Sequence, residues 1–469
     1  MPKTSFASVT LDVDPESRPH LDEPRSDDPF RILLLGDFSG RAHRGEPLPG
    51  RLKPYLVDRD TLEEVMFRMR PLLELGAPGR GLVLRFRELD DFHPDHIYNQ
   101  EVFEKIRAAQ KSPIAAIPPA AAPAQAPRQP KPDVQALTGG SLLDSVLDTT
   151  EAEPSQAHRQ PDALREFIQR AVAPHTAPRE DPGAATKTAQ AAEEAGKVMR
   201  AFLHHSAFQA LEAGWRALDW LVRGLETGPQ LKIYALDIAK PDLAGSLHEL
   251  RRILVDEAVG TPGGEPWALV AGNFTFARTE DDIRLLDALG GIVHAAGAVF
   301  LAEADLNDAE SPEAAGLWRT LQHSRAAASI GLALPRFLLR LPYGAKTSTV
   351  ESFAFEEMPG KPDHHKYLWA NPAFACAYLL AQAFTTDGWD MRPGTHSVIS
   401  GLPLHTYEAD GETEIKPCAE VLMTEADADW ILEQSFMPLV SIKNQDAVRL
   451  LRFQSIAQPA APLSGAWTR

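Results

Sequence analysis

The chain has 469 residues, 44% hydrophobic and 24% charged, with a formal net charge of −18 at pH 7. That length is ample for a large core, and the acidic balance excludes the basic face with which nucleic-acid-binding proteins displace counterions from phosphates. Only Cys376 and Cys418 are present, which excludes a disulfide framework or a four-cysteine zinc site and fits a reducing compartment.

The N-terminal MPKTSFASVTLDVD has no apolar signal-peptide core, and no run reaches the ~20 apolar residues of a membrane span, so a cytoplasmic protein without membrane insertion is expected. Residues 1–29 read as a flexible leader. Order begins at FRILLLGDF, a strand that ends in the turn Gly36–Gly40. Asp60 or Thr61 then caps a helix carrying Leu62, Val65, Met66 and Met69, which Pro71 limits or kinks. Residues 81–87 alternate as a strand, and a helix is expected from about Asp95 to Ala109, so residues 30–110 form a small α/β unit.

Residues 111–136 contain seven prolines and read as the core of a disordered linker over 111–140, with a coil span of about 28 Å. Within 141–195 lies a short amphipathic turn, SLLDSVLDTTE, capped by Ser141, with Leu142, Leu143, Val146 and Leu147 on one apolar edge. Asp162–Val172 is a further possible helix there, and the rest is polar and alanine-rich.

The stretch Phe202–Val222 is the strongest helical signal. Ser206 and Gln209 suit a capping box, and Phe208, Leu211, Trp215, Leu218, Val222 and Leu225 share one face. The i,i+4 pairs Glu212–Arg216 and Asp219–Arg223 mark another face as wet. His204 and His205 beside it are expected to be structural. Strands at 231–238, 267–276 and 298–302 then alternate with helices at 242–259, 281–296 and 312–329, which predicts an α/β sheet with parallel neighbours. Asn371 and Pro372 start another helix, Thr424 caps the last one, residues 436–442 form a strand, and the tail 459–469 is expected to be loose.

No constellation reads as a catalytic site or cofactor site. Gly344–Thr347 lacks the glycines of a phosphate loop, and Ser39 does not sit in a nucleophile elbow. His93 and His96, with Asp91 and Asp95, offer metal-ligand chemistry, but with Pro94 at a helix entrance the wet-surface reading is the preferred one. His294 is expected in the core, His364 and His365 in a charged loop, and Glu356 and Glu357 on a solvated edge.

Several words of the sequence resemble known proteins. FRILLLGDFSG at 30–40, RDTLEEVM at 59–66 and LRFRELDDFHP at 84–94 are similar to the N-terminal part of the small subunit (TssB) of the bacterial type VI secretion sheath. LLDSVL at 142–147, FQALEAGWR at 208–216, LPRFLLRLPYG at 334–344, FAFEE at 353–357 and YLWAN at 367–371 resemble the large sheath subunit (TssC).

The resemblance implies a sheath-like mixed sheet flanked by helices, with the large-subunit part over 196–458. It also implies a structural, non-enzymatic component of a contractile tube that contacts other sheath subunits and inner-tube or baseplate proteins. In the family a short N-terminal helix of the large subunit is what the AAA+ recycling ATPase grips. Leu142, Leu143, Val146 and Leu147 are therefore either such a hook or a helix tucked onto the body. The family keeps the two subunits as separate chains, so a fused and shortened protein that joins, caps or seats the sheath is the expectation; an α/β enzyme or metal protein using His93 and His96 is the alternative.

Overall fold

The strand Phe30–Gly36 (β1) lies in the middle of a nine-stranded sheet, and both its neighbours come from 200 residues or more further along the chain. The computed structural model describes residues 24–75, 82–104, 107, 184–307, 311–409 and 411–468. Before residue 184 there follow β2 (Tyr55–Val57), β3 (Leu72–Leu75) and β4 (Leu82–Arg85), with helices α1 (Leu62–Met69) and α2 (Pro94–Asn99). After it come helices α3 (Ala184–Leu203), α4 (Ser206–Gly224), α5 (Glu280–Ala295), α6 (Pro312–Gln322), α7 (Pro372–Asp387) and α8 (Glu425–Glu433). The strands of this second part begin with β5 (Leu231–Asp237), β6 (Leu269–Phe276), β7 (Val299–Ala304), β8 (Ile330–Leu334), β9 (Phe337–Leu338) and β10 (Trp369–Ala370). They end with β11 (Val398–Ile399), β12 (His405–Ala409), β13 (Glu412–Lys416), β14 (Met437–Ser441) and β15 (Val448–Leu450).

The sheet order is β11-β15-β14-β8-β7-β6-β1-β5-β2. From β5 to β14 every pairing is parallel, whereas β2, β15 and β11 add antiparallel edges, so the sheet is mixed. The run FRILLLG suits the central place because both its faces are covered: Phe30, Ile32 and Leu34 join one core, Leu33 and Leu35 the other. The chain crosses over β1 on its way from β5 to β6, which the helical turns Lys240–Asp256 accomplish. One core lies under α3, α4 and α7; the other lies under those turns, α5, α6 and α8.

Several local expectations are revised. Phe202–Val222 is broken in two: α3 stops at Leu203, and His205, rather than Ser206, caps α4 by accepting the N–H of Ala207. Helix α3 starts at Ala184, well inside the stretch expected to be mostly flexible up to 195, because Ala191, Ala195, Val198, Met199 and Phe202 bury a face built largely of small side chains. The expected helix Asp95–Ala109 is interrupted: it stops at Asn99, a tight turn follows at Glu101–Phe103, and Glu104 and Arg107 are again helical. The tail also departs from its expectation: Leu463 and Trp467 are buried, Trp467 stacks with Phe30, and the Ser464 N–H reaches the Ala328 carbonyl.

Candidate functional site: the joint between the two parts

The residues singled out as a partner-binding hook, Leu142, Leu143, Val146 and Leu147, lie outside the described residues. The most developed polar site among those described is the joint where residues 30–104 meet residues 184–468. Helix α4 is its axle. The Trp215 indole donates to the Phe38 carbonyl at 2.8 Å, and Phe208 packs edge-on against Phe86 and Phe92, whose rings stack 4.2 Å apart. Phe103 meets Phe202, and Tyr98 meets Phe353. Polar ties cross the same seam. Arg41 pairs with Asp242 at 2.7 Å, and the Asp95 carboxylate accepts the N–H groups of Glu351 and Ser352 at 3.1 and 2.8 Å.

At the centre of this joint lies a buried charge cluster. Glu212 on α4 accepts from Arg216 at 2.7 Å and from Arg340 at 2.9 Å; Arg340 also holds Glu357 at 2.8 Å, and Glu357 accepts the Tyr343 N–H. The Tyr343 hydroxyl takes a hydrogen bond from Arg216, and His93 lies edge-on to the Tyr343 ring. His204 Nε2 is 3.4 Å from Glu357 Oε1, without the alignment of a hydrogen bond. Two arginines therefore balance two glutamates, and both glutamate side chains are 0% exposed. Burial works to raise the Glu357 carboxyl, but Arg340 and His204 beside it prevail and hold it down at about 2, whereas burial lifts the Tyr343 phenol to about 12.

This corrects two expectations. Glu357 does not line a solvated edge and Glu212 does not mark a wet face, because Arg340 from an otherwise apolar segment satisfies both; the Asp219–Arg223 pair is the one that stays wet, with 66% of the arginine side chain exposed. A charged residue inside LPRFLLRLPYG was the available signal, and it needed a partner that spacing could not supply. The joint also collects the resemblance words: FQALEAGWR gives Glu212 and Arg216, LPRFLLRLPYG gives Arg340 and Tyr343, FAFEE gives Glu357, and LRFRELDDFHP gives His93.

The other sequence candidates are dispersed. His93 Nδ1 accepts the Asp95 N–H as a helix cap, and burial pushes its imidazole below the usual value. Ligand atoms of Glu88, Asp91 and His96 lie within 4.8 Å of one another; Asp91 Oδ2 accepts the N–H groups of Arg87 and Glu88, while Asp91 Oδ1 lies 3.6 Å from His96 Nδ1. His93 and His96 thus serve separate neighbours. Ser39 is buried in the turn after β1, with its N–H on Asp237, as expected of a strand-ending turn. At Gly344–Thr347 the Ala345 N–H takes Glu356 as its acceptor, so the turn binds its own carboxylate where a phosphate loop would bind phosphate. His294 is half-buried, 3.1 Å from the Ser329 hydroxyl. No helix among the described residues is long and apolar enough to cross a membrane.

Comparison with known proteins agrees with this two-part construction. Residues 17–108 match the family described as type VI secretion system, VipA, and residues 187–309 and 303–457 match VipB, the EvpB-type tail sheath N-terminal domain. The type VI secretion system sheath protein TssC1 of Pseudomonas aeruginosa is 37% identical over 290 residues, which is 55% of this chain and 58% of that protein. The chain therefore spans less than two thirds of that relative's length. It belongs to the type VI secretion tail-sheath family, with a VipA (TssB)-like part and a VipB (TssC)-like part in one polypeptide.

Proposed function

We propose that this protein is a structural, non-enzymatic element of a type VI secretion apparatus in the cytoplasm, which assembles with other sheath subunits and joins, caps or seats the contractile sheath. The observation that carries this reading is the place of β1, the strand of the VipA-like part, between β5 and β6 of the VipB-like part. The chain supplies its own small-subunit complement, so each copy enters an assembly as a preformed pair; tethering makes that pairing intramolecular at an effective concentration of roughly millimolar. Electron microscopy of the full chain purified with separately expressed small and large sheath subunits is the test. Incorporation into rings or tubes is expected; single particles that never co-purify with sheath, inner-tube or baseplate proteins would overturn it.

The recycling ATPase is a second proposed partner, supported by the apolar edge Leu142, Leu143, Val146 and Leu147. Titration calorimetry of a peptide spanning 138–152 against the ATPase N-terminal domain should show binding that weakens by about 1–2 kcal/mol for each of Leu143→Ala and Leu147→Ala. Absence of binding at high micromolar peptide would remove this partner while leaving the sheath role intact.

A further inference from the structure

The β12–β13 hairpin stands apart from the main sheet. It is a two-stranded ribbon, and every residue of β13 except Lys416 is exposed. Isolated two-stranded ribbons are marginal in water, so this one depends on whatever holds its base. At that base His405 and Lys416 are cross-strand partners, and both press against the segment 364–369. The Lys416 ammonium lies 5.3 Å from the centre of the Tyr367 ring and 5.5 Å from that of Trp369, within cation–π range. Its Nζ is 2.6 Å from His364 Nδ1, and the Tyr367 hydroxyl is 2.6 Å from His405 Nδ1.

An ammonium has donors only, so the 2.6 Å contact requires His364 Nδ1 to offer a lone pair. A proton there would turn a hydrogen bond into two facing cations. The surrounding charges do little to absorb it. Glu420 approaches His364 Nε2 at only 3.9 Å and is already gripped by Arg336 Nε at 2.8 Å; Glu303 is 3.7 Å from the same arginine. His365 packs edge-on to His364, Lys366 is paired with Asp363, and on the hairpin Tyr407 donates to Glu414 while packing on His405. Glu357 acts on His405 and Tyr367 only through space.

We propose that the β12–β13 hairpin is an acid-released latch, docked on Tyr367 and Trp369 while His364 is neutral and set free when His364 takes a proton. Burial lowers the imidazoles of both His364 and His405, and Lys416 pushes His364 further the same way, against Glu420. The sign follows: a docked imidazole held below its ordinary value of about 6.5 gives full docking above that pH and progressive release below it.

Amide hydrogen exchange of the full chain, read on peptides from the hairpin and from β1 at pH 7.5 and 5.5 with intrinsic rates corrected, tests the latch. Hairpin protection should fall at least tenfold at pH 5.5 while β1 stays protected. His364→Gln, which keeps an acceptor but cannot charge, should abolish the fall, and equal wild-type protection at both pH values or a full fall in His364→Gln would overturn the proposal. If glutamine disturbs the turn, seen as lost β1 protection, Lys416→Met asks the same question: without an ammonium to repel, hairpin protection becomes independent of pH, and a persisting fall overturns the latch.

Discussion

The two faces of the sheet are built differently. On one, Phe30, Ile32 and Leu34 meet α3, α4 and α7 together with most of the buried side chains of the VipA-like part, and the charge cluster of Glu212, Arg340 and Glu357 lies within that layer. On the other, the VipA-like part contributes, among the described residues, buried Leu33, Leu35 and Leu52 with Leu48 partly buried beside them, and the rest comes from the VipB-like part. Burying apolar area is non-directional and holds either face equally well, at about 25 cal/mol per Å². The face where the VipA-like and VipB-like parts meet also holds a buried charge cluster, whose glutamates and arginines all belong to the VipB-like part and tie α4 to the segment around Arg340. We read this as affinity between the parts supplied by the strand and apolar contacts, and registry within the layer that receives the VipA-like part supplied by the ions.

Four experiments break or sharpen that contrast. The largest effect is expected from removing the VipA-like part: residues 184–468 alone lose the strand between β5 and β6 and should be insoluble or lack a cooperative unfolding transition, checked by circular dichroism on heating. A soluble, cooperatively folded fragment would show that both faces close without it. Next, Arg340→Met leaves Glu212 and Glu357 buried without their shared partner and should cost about 3–5 kcal/mol in denaturant unfolding, whereas Leu33→Ala on the opposite face should cost about 2–5 kcal/mol through its cavity. The double change Arg340→Met, Glu357→Gln, which leaves Glu212 matched to Arg216, should recover much of the loss if the charges serve registry, which a double-mutant cycle would reveal.

A smaller effect concerns pH. Burial, with His43 close by, lowers the His205 imidazole to about 4, so the folded state keeps it neutral while the unfolded chain takes up a proton near 6.5. Its contribution is complete above pH 6.5 and is lost as pH falls towards 4, so His205→Asn, which preserves a capping acceptor, should flatten the stability profile in that window. Glu357 works at a different place: its lowered carboxyl contributes fully above about 4.5 and is lost only as pH falls to about 2. The smallest effect belongs to Asp219→Ala, which removes an exposed i,i+4 pair and should shift stability by no more than about 0.5 kcal/mol.

The sequence was legible where periodicity and burial coincide. FRILLLG reads as a strand because it is an apolar run broken only by Arg31, although its central place was not read, and α4 reads as a helix because Phe208, Leu211, Trp215 and Leu218 share a face. Glu212 was misread because an i,i+4 ion pair has the same spacing on a wet face as on a buried one; only Arg340, from more than 120 residues away, decides which it is. The strands β3, β11 and β15 went unnoticed because two to four residues carry too little pattern, and β3 follows a helix that stops when Arg70 turns left-handed at φ 52°. Trp467 was assigned to a loose tail because nothing local shows that the Phe30 ring awaits it.

The parallel register of β1 also sets a timetable. Phe30 pairs with Leu231, so the ribosome must add about 200 residues after the first strand before either of its neighbours exists. At ~5–20 residues per second that interval is on the order of 10–40 s, during which a ribbon apolar but for Arg31 is attached to a growing chain without its sheet. Separate subunits would meet by diffusion at whatever concentration the cell maintains. Here the wait has a minimum set by translation, and β5 and then β6 close around the earlier strand as they emerge.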